Sequence, residues 1–142
     1  MQTLLSFLLI AVGAGQVVMM TAVIRLPVWL NWRAETAKLE PVTRQVFWIY
    51  AGYIFTTNLF IGFVTVGFPV ELIAHTPLVT ALTGFMFLYW AVRLVLQLFV
   101  IDKAAAPKGL MFKVGDWVLT LLFTFFTAVY GWAFGLNLQE AI

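Results

Sequence analysis

Arg93 stands inside a hydrophobic run, TGFMFLYWAVRLVLQLFV, where a permanent charge needs a physical reason. A guanidinium at the centre of a bilayer costs at least ~2.5–3.5 kcal/mol on insertion scales, so a partner is expected. Asp116 is the expected partner, because it sits about one turn into the next apolar segment. Nine positions separate Arg93 from Asp102, which puts its Cα roughly 12–14 Å below the basic end of that helix. Gln97 lies one turn nearer that end and Tyr89 one turn deeper. Arg93, Asp116, Gln97 and Tyr89 together would make a polar pocket able to bind an anionic headgroup, a quinone or another amphiphile. The plainer alternative is that Arg93 snorkels to lipid phosphates and locks two helices together. A charge-translocating role is disfavoured, since no acidic residue falls near the midplane to relay a proton.

Two amides fall in similarly apolar surroundings. Asn58 and Gln16 must find hydrogen-bond partners there, since an unpaired polar group in hydrocarbon is costly. For Asn58 the candidates are Gln16, a threonine of the last span, or a second subunit. A structural hydrogen bond explains both residues more simply than ligand binding.

Small residues form stripes at helical spacing. Asp116, Thr120, Thr124, Thr127, Gly131 and Gly135 recur every three or four residues and share one face. Gly131 and Gly135 form a GxxxG, which lets helix backbones approach closely. Ala51, Asn58, Gly62 and Thr65 make a second such face, and Ala11, Gly15 and Ala22 a third. These faces suit either contact within the chain or docking on another membrane protein.

Other chemistry is excluded by residue type. The chain has no cysteine and one histidine, His75, which pairs only with Glu71 at i and i+4. That leaves no thiolate, no ligand pair for a haem and no metal set. Ser6 is the sole serine, so a serine-hydrolase constellation is absent. No glycine-rich phosphate loop appears. No cofactor or metal is expected, and the net charge of +2 is too small to suggest nucleic acid.

The elements that must carry these residues follow from hydropathy. Hydrophobic residues make up 63 % of the chain and charged residues 10 %, with a mean hydropathy of +1.02. Soluble domains average roughly 45–50 % apolar and 25 % charged. Four spans are predicted, at about 3–24, 44–68, 77–101 and 114–136, each near the ~20 residues needed to cross a bilayer. Trp29–Leu39 is expected to form a short interfacial helix, ended by Pro41, with Thr43 capping the second span. The short connection after Phe68 predicts that spans two and three are antiparallel neighbours. All eight Lys and Arg except Arg93 lie in the first and third connections (Arg25, Arg33, Lys38, Arg44, Lys103, Lys108, Lys113). Positive residues stay cytoplasmic, so both termini are expected outside. The N-terminus lacks a basic n-region, so the first span is expected to be retained rather than cleaved.

The sequence therefore reads as one domain, residues 1–142, an all-α integral membrane protein. Its four transmembrane helices are expected in an up-down bundle of a bacterial inner membrane. A non-catalytic accessory or scaffold subunit of a larger membrane complex is the leading expectation. An amphiphile-binding protein or enzyme built around Arg93 is the second, and a homo-oligomeric pore or carrier the third. The expected partners are membrane lipids and either another protein or further copies of this chain.

Overall fold

The computed structural model describes residues 2–100 and 109–141, and every regular element among them is helical. The chain runs α1 (Gln2–Val23), α2 (Leu26–Trp29), α3 (Trp32–Thr36), α4 (Pro41–Gly67), α5 (Pro77–Val95) and α6 (Leu110–Ala141). Four helical stretches are long and apolar enough to cross a membrane: Thr3–Trp29, Pro41–Gly67, Pro77–Val100 and Phe112–Gln139. Their mean hydropathies run from 1.5 to 2.2. Helices suit that solvent because each backbone N–H and C=O is satisfied within its own segment.

Local chemistry sets the helix starts. Thr76 is the N-cap of α5, its hydroxyl accepting from Val79 N at 3.2 Å, with Pro77 in the first turn. Pro41 opens α4 rather than closing an upstream helix, and Thr43 lies inside it. Proline at the first helical position loses no hydrogen bond, because that N–H has no intrahelical acceptor. The helix expected over Trp29–Leu39 is broken in two. Asn31 takes a left-handed conformation (φ 55°) between α2 and α3. α5 ends in a widened π-helical turn, Leu96–Val100. Ile101, Asp102, Lys103 and Lys108 lie outside the described residues.

Packing pairs the helices in a way that the connections do not announce. α1 packs against α4 and also against α6, and α5 packs against α6. α4 and α5, expected as neighbours, do not pack along their length. The connection between them packs against α5 and α6. Glu71–Ile73 coils into one turn of 3-10 helix whose Leu72 and Ile73 are buried, so it acts as a wedge rather than a tight hairpin. Asn137 of α6 pins it: Nδ2 donates to Leu72 O (2.8 Å) and Thr83 Oγ1 (3.2 Å), and Oδ1 accepts from His75 N (3.1 Å).

The core fills the α1–α6 and α5–α6 seams with Leu5, Leu9, Val12, Met86, Trp90, Phe126 and Tyr130. Trp90 stacks on Phe123 (5.4 Å) and meets Phe126 edge-on (5.0 Å). The glycines make the close approaches. A Cβ on Gly13 would lie 2.5 Å from Val66 Cγ2 and 2.8 Å from Gly62 O, so α1 and α4 touch backbone to backbone there.

Candidate functional site

Because α4 and α5 stand apart, a cleft of about 1410 Å³ opens between them, with α1 and α6 as its floor. It occupies the half of the molecule toward the basic connections, from Gly15–Ile24 of the first span across Phe47–Asn58 of α4 to Gly115–Phe123 of α6. Trp29, Trp32, Phe47 and Trp48 line its mouth. Trp32 and Phe47 meet edge-on at 5.1 Å, and Trp48 Nε1 donates to Thr36 Oγ1 at 3.2 Å. α3 is thereby tied to the start of α4. Gly52 and Gly115 face the cleft with no protein atom within 4 Å of where a Cβ would stand.

Its polar equipment is sparse and specific. Arg93, Tyr89, Asn58 and Tyr50 line the cleft, with no aspartate, glutamate, serine, threonine, histidine or lysine among the described lining residues. Tyr89 OH donates to Asn58 Oδ1 at 2.5 Å, the one described side-chain hydrogen bond between α4 and α5. The Arg93 guanidinium sits over the Phe123 ring, 5.2 Å from its centroid, in cation–π contact. Among the described residues it makes no hydrogen bond and no ion pair; the ion pair found there is Lys38–Glu35 on the surface.

The expected Arg93–Asp116 pair is therefore replaced. Asp116 Oδ1 instead accepts from Gln97 Nε2 at 2.5 Å, and Gln97 is buried. Gln97 lies in the π-helical turn and one turn nearer the basic end than Arg93, so its amide meets the Asp116 level while the guanidinium meets Phe123. Neither Gln97 nor Asp116 lines the cleft. Of the four residues expected in one pocket, Arg93 and Tyr89 share it, and Asn58 joins them from α4.

Gln16 serves a different knot. Its Nε2 donates to Tyr130 OH (2.5 Å), which lies 2.6 Å from Thr65 Oγ1. Thr65 Oγ1 in turn donates to Ile61 O at 2.7 Å. The chain of donors closes if Tyr130 gives its proton to Thr65, which joins α1, α6 and α4 inside the core. Tyr130 and Asn137 are the residues that sequence reasoning missed. An amide directly after the last predicted span, 114–136, was the available signal for Asn137.

The small-residue stripes are spent largely on internal contacts. A Cβ on Gly131 would lie 3.0 Å from Phe87, on Gly15 3.3 Å from Phe126, and on Gly62 3.2 Å from Gln16 Cβ. Thr120, Thr124 and Thr127 each donate back to the carbonyl four residues earlier, at 2.7–2.8 Å. Gly135 alone of this set has no atom near its Cβ position. Compared with known proteins, the chain matches no family model, no curated protein and no solved structure.

Proposed function

We propose that this chain is a non-catalytic membrane protein that holds a long-chain amphiphile in the cleft between α4 and α5. The observation that carries the reading is a cavity of about 1410 Å³ in which Arg93 is the one charged residue among the described lining residues. Drug-sized ligand pockets run roughly 300–1,000 Å³, mostly apolar with a few placed polar groups. This cleft has that character with room for a long apolar tail. The sequence alone favoured an accessory subunit, on the strength of its stripes. Those stripes now lend less to docking, because Gly15, Gly62 and Gly131 abut side chains of the same molecule. Gly135, open on α6, is the position where a second copy or a partner protein would still fit.

The charge pattern supports a bacterial inner-membrane location with both termini outside, which puts the cleft in the cytoplasmic half. α2 and α3 then lie at the cytoplasmic interface, their tryptophans at the headgroup level.

Purification in mild detergent followed by lipid extraction and native mass spectrometry tests the reading. A bound amphiphile should be retained by the native chain. It should be lost in the double variant Gly52→Leu, Gly115→Leu, which narrows the cleft from two positions where an added Cβ meets no protein atom. Equal retention by the narrowed variant would reject the cleft as the site.

A further inference from the structure

Resting on that cleft reading, we infer that the amphiphile is a long-chain carboxylic acid whose carboxylate is taken by Arg93 and Asn58. Hydrogen-bond inventory comes first. Arg carries five N–H donors and no acceptor. Among the described residues, none of these donors is engaged, and one face of the guanidinium is covered by Phe123. Asn58 spends its Oδ1 on Tyr89, which leaves its two Nδ2 donors toward a cleft that it lines. The wall thus offers donors to any head that enters, and no side-chain carboxylate stands among the described lining residues.

Charge selects next. A single cation in hydrocarbon is balanced by a single negative charge. A phosphate monoester carries up to about two, and a carboxylate carries one and accepts an arginine fork in parallel bonds. Depth points the same way. Phe123 lies eleven residues into the span that begins at Phe112, about 16 Å along the helix. The guanidinium is held against that ring instead of reaching for the phosphate plane. A head that meets it must be small enough to descend below the headgroups, which a bare carboxylate is and a substituted phosphate is not. The neutral tail then runs over the apolar wall of α1 and α6.

The test uses the tryptophans already in place, since Trp29, Trp32, Trp48 and Trp90 line the cleft. Dibrominated stearate and its methyl ester share one chain and differ in the head. Each is titrated into the purified chain while tryptophan fluorescence is recorded, bromine quenching on contact. The acid should quench saturably at a concentration about tenfold or more below the ester, the size expected for one charge-assisted contact. Arg93→Gln should bring the two curves together, and Arg93→Lys should keep part of the preference. Gly52→Asp provides a second route should Arg93→Gln fold poorly. It places an anion in the cleft that Arg93 lines, at a position where the Cβ meets no protein atom, and should weaken the acid more than the ester.

Acid preference that survives Arg93→Gln overturns the inference. So does a wild type that treats acid and ester alike, or one that prefers dibrominated phosphatidic acid to the stearate. In those cases saturable quenching that Gly52→Leu abolishes would still uphold the cleft. No saturable quenching by any of the three probes would bring down the cleft reading as well.

Discussion

Tyr130 is fully buried, and its hydroxyl is shared between Gln16 and Thr65. Removing that hydroxyl has unequal consequences at its two neighbours. Thr65 keeps its bond to Ile61 O, whereas the Gln16 amide, whose Oε1 already has no partner among the described residues, is left with none. Tyr130→Phe should therefore lower stability by about 1–2 kcal/mol, near the upper range of hydrogen bonds measured between membrane helices. Thr65→Val should cost less. Adding Gln16→Leu to Tyr130→Phe should restore part of the loss, because an apolar side chain has nothing to satisfy. Thermal unfolding of the four proteins in detergent closes the cycle, and strictly additive losses would argue against the shared hydroxyl. The same logic separates the two polar pairs near the basic end. Gln97 and Asp116 should couple by about 0.5–1.5 kcal/mol in a double-mutant cycle, and Arg93 and Asp116 should be additive within error.

Backbone contact between α1 and α4 rests on Gly13, whereas Gly67 of α4 and Gly135 of α6 face open space. Gly13→Ala drives a methyl onto Gly62 O and Val66 N, atoms that cannot rotate away. The two helices must separate, at a cost of about 1–3 kcal/mol as for other overpacked interiors. Gly67→Ala and Gly135→Ala meet nothing within 4 Å and should leave the melting temperature unchanged or slightly raised. A Gly13→Ala protein as stable as the native one would show that the crossing is looser than drawn. The contrast also marks where the sequence was legible. Four apolar runs announce four helices because a bilayer leaves the chain few other structures. Stripes of small residues announce that helices approach, and Gly62 and Gly131 do sit at contacts. What periodicity does not carry is which helix meets which. Gly13 and Gly62 meet across helices, and nothing in either local pattern names the other. The wedge at Leu72 and Ile73 is likewise invisible, since eight residues between two spans look the same whether they form a tight turn or a spacer. The π-helical turn that brings Gln97 to Asp116 shifts register by a fraction of a turn, below what residue spacing resolves.

At the scale of the whole chain, the cleft and Arg93 lie toward the end where α2 and α3 join α1 to α4. The wedge at Leu72 and Ile73, tied by Asn137, lies at the other, so ligand access is governed by orientation in the membrane. The proposed orientation rests on positive residues, seven of the eight of which lie in or beside the first and third connections. The absence of cysteine makes the point testable with one introduced thiol at a time. Glu71 is exposed in the connection between α4 and α5, and Asn31 is exposed between α2 and α3, so a cysteine at either is reachable without disturbing the core. In intact cells an impermeant maleimide should label Glu71→Cys at once and Asn31→Cys only after permeabilisation. Labelling of both from outside would contradict the single crossing, by α4, that separates Asn31 from Glu71. The reverse pattern would invert the molecule, and would turn the cleft mouth toward the outer leaflet. A carboxylate ligand would then have to be delivered from the opposite leaflet, so the orientation decides from which pool of acid Arg93 can draw.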